Sequence, residues 1–273
     1  VRDYVQAVAE LGYSHIIAYD HILGANPDRP GGWKGAYTYQ SSFLEPFVLF
    51  SYMAAVSPQL GFMTGILILP QRQTGLVAKQ AATLDVLCGG KFRLGVGLGW
   101  NEVEYTALNE DFHNRGRRME EQVALLRQLW TQPLVTFKGQ WHTIPDAGLK
   151  PLPIQQPIPI WMGGTAVSAL ERAAKIADGW LPNTRSLEES RLAAHTIQDS
   201  LEKAGRTTGE FGIEPRLAFG AGNPADWQKM FRGWLDLGAT GFSINTMGSG
   251  FQSPQAHIQA LGKFAEEMEV KTL

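Results

Sequence analysis

The stretch Gly90-Lys-Phe-Arg-Leu-Gly-Val-Gly-Leu-Gly-Trp-Asn-Glu102 decides how this chain folds. Phe92 to Leu98 read as an apolar strand that runs straight into a polar Trp100-Asn101-Glu102 loop. Gly95, Gly97 and Gly99 recur at period two, so they share one strand face and leave it without side chains. Such a face admits a flat ligand, or it allows the close packing of a tapered barrel wall. The spacing is G-x-G-x-G, the unit lies well inside the chain, and a polar loop rather than a helix is expected after it. All three points speak against a dinucleotide-binding turn, which needs G-x-G-x-x-G at a first strand–helix junction.

Outward from this strand, the hydrophobic period switches repeatedly between two and 3.6. Helices are expected over Val1–Leu11, Glu45–Ala55, Leu76–Leu87, Arg117–Trp130, Val167–Ala177, Leu187–Ala204, Pro224–Leu237 and Pro254–Met268. Strands are expected over His15–Tyr19, Leu60–Leu69, Phe92–Leu98, Ile158–Met162, Gly179–Leu181, Ile213–Phe219 and Gly241–Ile244. Helix starts are signed by Ser186-x-x-Glu189, Asn223-Pro224 and Ser253-Pro254, each a cap residue ahead of a favourable first turn. Short, nearly all-apolar strands alternating with helices predict an α/β barrel whose parallel sheet is covered on both faces. Seven strands are legible and a closed (β/α)8 barrel needs eight, so the first strand is expected ahead of Val1. Residues 134–157 interrupt the alternation with a hairpin, Val135-Thr-Phe137 and Trp141-His-Thr-Ile144, and a proline-rich connector. A second long loop, Ile22 to Ser42, carries Trp33, Tyr37 and Tyr39, in the manner of a lid or pocket wall.

With 273 residues the chain has enough material for one large core, so a single domain over 1–273 is expected. A formal net charge of −2 gives no electrostatic reason to expect nucleic acid or an anionic membrane as partner. The longest apolar stretch, near Ile66–Leu69, is too short for a bilayer span, and no signal-peptide pattern opens the chain. Cys88 is the one cysteine and falls in an apolar helical run, which suits a buried thiol and a reducing cytoplasm.

In barrels the reactive face lies at the strands' C-terminal ends. There this sequence delivers Asp20-His21, Pro70-Gln71-Arg72, Trp100-Asn101-Glu102, Gly163-Gly164-Thr165, Pro182-Asn183-Thr184-Arg185, Gly220-Ala221 and Thr246-Met247-Gly248. No lysine for a Schiff base, no paired carboxylates, no G-x-S-x-G and no H-E-x-x-H appear, and the six histidines lack ligand spacing, so no metal is expected. A face so poor in acids and bases points to a cofactor that carries the hard chemistry. Gly163-Gly164-Thr165 precedes a helix, so it reads either as a phosphate site or as a tight turn with Thr165 as N-cap; Gly248-Ser-Gly250 is a rival phosphate loop. His113, Arg115, Arg117 and Arg118 crowd a helix start, where the dipole disfavours cations, so pairing with Glu102, Glu104, Glu110, Glu120 and Glu121 is expected. An anionic cofactor tail is the alternative partner.

Three blocks, GGKFRLGVGLGWNEVEY from Gly89, NRGRRMEEQVALLRQLW from Asn114 and PIPIWMGGTAVSALERAAKIADGWLPN ending at Asn183, resemble the luciferase-like monooxygenase superfamily. Ala18-Tyr-Asp-His21 and Gly65-Ile-Leu-Ile-Leu-Pro-Gln-Arg72 are similar in the same order. The chain looks most like the short bacterial enzymes of that group that use the deazaflavin coenzyme F420. This resemblance implies a (β/α)8 TIM barrel, a cytoplasmic homodimer and hydride transfer between F420 and a small organic substrate. An FMN-dependent monooxygenase is the alternative, and a non-catalytic flavin-binding barrel a third. It further implies that Asp20, Gly65, Gly97 and Asn101 lie beside the ring, that Gly163, Gly164 and Thr165 hold the phosphate, and that His21 shuttles a proton. Related sugar-phosphate and alcohol dehydrogenases carry a tryptophan shortly after the Asp-His pair and a glutamate in the glycine-rich loop. Here those positions fall near Gly24 and at Trp100-Asn101.

Overall fold

A computed structural model describes residues 1–184 and 186–270; Arg185, at the end of one expected strand, lies outside the described residues. The chain forms two compact units. One comprises Val1–Ile17, Met53–Phe62 and Ile160–Leu273, the other Ala18–Tyr52 and Met63–Pro159.

The second unit takes in the end of β1 (His15–Ala18), most of α2 (Pro46–Val56), the end of β2 (Gly61–Thr64), β3 (Leu67–Ile68), α3 (Thr74–Leu87), β4 (Phe92–Gly97), α4 (Glu102–Ala107), α5 (Arg115–Thr131) and the hairpin β5 (Val135–Lys138) with β6 (Thr143–Ala147). β4 is buried along almost its whole length and pairs in parallel with β3, Leu67 opposite Val96 and Ile68 opposite Gly97. Burial on both faces explains why it reads as a continuous apolar run. The single strand expected over Leu60–Leu69 is interrupted. β2 ends at Thr64, the Gly65–Ile66 peptide is cis, and the pairing resumes at Leu67 before a 3-10 turn over Leu69–Gln71. At the interruption Ile66 lies where a side chain on Gly97 would otherwise stand, and Ile68 does the same for Gly99, whose φ of +66° also favours glycine. Isoleucine side chains therefore pack against the bare backbone at Gly97 and, just past the end of β4, at Gly99. The expectation of a polar loop after the glycines also needs correction. Asn101 caps a helix that begins at Glu102, because its side chain accepts from the Val103 N–H.

In the first unit, α1 (Arg2–Glu10) is followed later by β7 (Ile160–Gly163), α6 (Val167–Ile176), β8 (Gly179–Leu181), α7 (Leu187–Lys203), β9 (Gly212–Ile213), β10 (Arg216–Ala218), α8 (Pro224–Leu235), β11 (Ser243–Asn245) and α9 (Pro254–Glu267). β7, β8 and β9 pair in parallel, and Gly179 and Gly212 leave the room that the Trp161 ring takes. The strand expected over Ile213–Phe219 divides at Glu214-Pro215. β9 pairs with β8, whereas β10 pairs with β11, Leu217 opposite Ile244. Proline at the division has no ladder N–H to give, and Glu214 turns its carboxylate to His15 at 2.7 Å. The expected caps are in place: Ser186, Asn223 in a reciprocal capping box with Asp226, and Ser253. Cys88 is buried, and burial raises its thiol pKa.

Candidate active site

At the end of β1 the chain delivers Asp20 and His21 into a polar cluster built wholly within the second unit. Asp20, 3% exposed, takes both arms of Arg72: Nη2 at 2.8 Å to Oδ1 and Nε at 3.3 Å to Oδ2. It also accepts the Ile68 N–H at 3.1 Å, and Arg72 Nη1 reaches Glu45 at 3.0 Å. A forked guanidinium–carboxylate pair is rigid, so Asp20 ties the end of β1 to the end of β3. Both of its oxygens accept hydrogen bonds from the protein.

His21 stands against Glu104, the third residue of α4 and a side chain with no exposure. Glu104 Oε1 lies 3.2 Å from His21 Nδ1 and accepts the N–H groups of Ile22 at 3.1 Å and Leu23 at 3.3 Å; Oε2 accepts from Gln71 Nε2 at 3.1 Å. Burial by itself would raise the carboxyl pKa. The hydrogen bonds from His21 and Gln71, with the Leu23 N–H, outweigh burial and hold it below its ordinary value. An ionised carboxylate only accepts, so the Nδ1 of His21 carries the hydrogen of this contact. Nε2 has no hydrogen-bond partner among the described residues. Three rings surround the imidazole: Tyr37 and Phe43 with centroids at 4.8 Å and Trp100 at 5.8 Å. The lid expectation for Ile22–Ser42 thus acquires a definite content, since Trp33 and Tyr37 of that loop join Trp100 and His21.

The other expected site residues separate into two groups. Asn101 is 2% exposed and uses both ends of its amide inside the protein, as the cap of α4 and as a donor to the Leu23 carbonyl at 3.2 Å. These two contacts make it an anchor between α4 and the loop that follows His21. Gly65 donates its N–H to the Ala18 carbonyl at 2.7 Å. Gly163, Gly164 and Thr165 belong to the first unit, at the turn from β7 into α6. Gly164 has φ +127°, a conformation side chains rarely take, and its carbonyl accepts from Trp180 Nε1 at 2.8 Å. Thr165 is not the N-cap. Ala166 holds that place, and α6 starts without a side-chain cap, so its first N–H groups are unmet by one. In the rival loop, Gly248 and Gly250 both have positive φ and the buried Ser249 Oγ lacks a partner.

The basic cluster is only partly paired as expected. Arg118, 5% exposed, binds Glu110 and the Pro70 carbonyl. Arg115 lies over the Phe112 ring at 3.7 Å, and Arg117 over Trp141 at 6.0 Å. Glu121 instead gathers the N–H groups of Gln140, Trp141 and His142, anchoring the hairpin tip to α5. Glu104, read from sequence as another partner for those arginines, is the functional residue the reading missed. Its signal was Asn101-x-x-Glu104, the same cap spacing that identified Ser186-x-x-Glu189.

Comparison with known proteins follows the same lines. A family model described as luciferase-like monooxygenase matches residues 1–258. An uncharacterized protein of Mycobacterium tuberculosis is 36% identical over 278 residues, covering 97% of this chain and 93% of that one. The F420-dependent glucose-6-phosphate dehydrogenase of Kineococcus radiotolerans is 30% identical over 88% of this chain and 69% of its own. The FMNH2-dependent dimethylsulfone monooxygenase of Pseudomonas fluorescens is 34% identical over 59% of this chain and 44% of its own. A solved F420-dependent secondary alcohol dehydrogenase, in complex with an F420-acetone adduct, superposes with a TM-score of 0.80 at 14% identity, covering 99% and 94% of the two chains. The relatives thus include users of F420 and of FMN, and the structural likeness carries the (β/α)8 luciferase-like fold. Matched along nearly its whole length by both the family model and a relative above 30% identity, the chain belongs to the luciferase-like monooxygenase family of oxidoreductases.

Proposed function

We propose that this protein is an F420-dependent oxidoreductase in which His21 exchanges a proton with a small organic substrate. The observation that carries the proposal is the His21–Glu104 contact, with Nδ1 held by a buried carboxylate and Nε2 left without a partner among the described residues. Two features of the chain suit the cofactor. Gln71, 4% exposed, keeps Oε1 buried without a donor, an acceptor of the kind that a ring N–H of a flavin or deazaflavin satisfies. Within the first unit, taken by itself, the uncapped start of α6 behind Gly163-Gly164 suits a phosphate. F420, when bound, supplies the hydride chemistry.

The remaining work belongs to the residues. Glu104 fixes one tautomer, so Nε2 is the nitrogen that takes or returns the proton of a substrate hydroxyl or carbonyl. Tyr37, Phe43 and Trp100 pack around the imidazole, whose side chain is 12% exposed, and limit its contact with bulk water. Asp20 and Arg72 hold the strand end that presents it. Likeness to an F420-using relative at 30% identity over 88% of this chain, against 59% of it for the FMNH2-using relative, favours F420 over FMN.

Fluorescence titration with each cofactor tests the choice: F420 is expected to bind more tightly than FMN, and tighter FMN binding would overturn it. In the same assay Gly164→Asp is expected to abolish cofactor binding while circular dichroism stays native in form, because a carboxylate would stand where the phosphate is assigned. Unchanged affinity in that variant transfers the phosphate to Gly248-Ser249-Gly250.

A further inference from the structure

We propose that the surface at His21 selects an uncharged, flat ring compound bearing a single carbonyl or hydroxyl group, and rejects phosphorylated or polyhydroxylated substrates. The inference rests on the proposed function only in seating the substrate at His21.

Shape is the first argument. Tyr37, Phe43 and Trp100 present their rings around the imidazole, with Trp100 45% exposed and Trp33 tilted against Trp100 at 5.7 Å. Gly35 passes so close to both indoles that a side chain there would strike them, and Trp33 Nε1 donates to the Tyr37 carbonyl at 2.8 Å. The wall is therefore a fixed set of aromatic faces, which stack on planar rings.

Hydrogen bonding is the second. Asp20, Arg72, Asn101 and Glu104 spend their polar atoms on one another or on the backbone. Apart from Gln71 Oε1, assigned to the cofactor, the groups beside the rings without a hydrogen-bond partner among the described residues are His21 Nε2, the Tyr37 hydroxyl and the Trp100 indole N–H. So small a set of polar groups suits a substrate with one carbonyl or hydroxyl oxygen better than one with many. A sugar would leave several hydroxyls desolvated and unmet, the strongest ground for rejection a site has.

Charge is the third. The cluster contains the carboxylates of Asp20, Glu45 and Glu104 against the single guanidinium of Arg72, a net of two negative charges when the imidazole is neutral. Arg72 is held by two of those carboxylates, so no cation in the cluster is left for a phosphate.

The test uses the full chain and two probes, acetophenone and glucose 6-phosphate, followed by tryptophan fluorescence and by the NMR shift of the His21 ring protons. Acetophenone is expected to saturate and glucose 6-phosphate not to. Trp100→Ala should weaken acetophenone binding about tenfold, the scale of a lost ring contact, whereas Trp100→Phe should stay within a few-fold and controls for misfolding. Failure of acetophenone to bind, tighter binding of glucose 6-phosphate, or undiminished affinity in a folded Trp100→Ala variant overturns the inference. F420 titrated in parallel keeps the two readings apart: lost F420 binding with retained acetophenone binding counts against the cofactor assignment alone.

Discussion

His21→Ala is expected to lower turnover by about two orders of magnitude or more, the usual scale for removing a general acid or base. The effect follows from geometry. His21 is the histidine just past the end of β1, its Nδ1 is bonded to a buried carboxylate, and its Nε2 has no partner among the described residues. The same substitution should change cofactor affinity much less, since the unsatisfied acceptor is on Gln71 and remains. Steady-state kinetics with cofactor binding measured separately resolve the two effects. Full activity in a folded His21→Ala protein would leave the residue a packing element under its three rings.

Replacement of Glu104 carries the second large effect, and it separates stability from catalysis. Glu104→Ala strips one carboxylate from His21, Gln71 and two backbone N–H groups at once. Removing one partner of a buried charged network costs about 3–5 kcal/mol, to be read by chemical denaturation. Glu104→Gln keeps the shape and loses the charge. Its amide presents a donor to the Gln71 donor or to Nδ1, so the imidazole is no longer confined to one tautomer. Turnover is expected to fall by about one to two orders of magnitude, with 15N shifts of the His21 ring showing a mixture of tautomers. A merely structural Glu104 would leave those shifts unchanged.

The pH dependence carries the sign of the Glu104 shift. A carboxyl held below its ordinary value of 4.5 contributes stability that is complete above that value and is lost as pH falls through the lowered one. Glu104→Gln should therefore lose less stability than the wild type as pH falls through that range, the remaining acid dependence coming from other carboxylates such as Glu121.

The division between local and distant information is visible in particular residues. Helix starts at Ser186, Asn223 and Ser253 were legible because a cap is a contact between residues two or three apart, written in one short word of sequence. Strand β4 was legible because burial on both faces leaves an unbroken apolar run. The broken strands were not, because Ile66 answers to Gly97, thirty-one positions away, and β10 changes its partner to β11 only after Pro215.

Likewise the sequence by itself determined the α/β alternation, the family and the candidacy of His21, since periodicity and motif words are local. Only the tertiary structure decided what each polar side chain does. It spent Asp20 on Arg72 and Asn101 on a cap, and it brought Glu104 to His21 across eighty-three positions. The physical reason is that a buried charge or amide must be matched by whatever donor the fold brings near it, and that donor is chosen by packing rather than by adjacency in the chain.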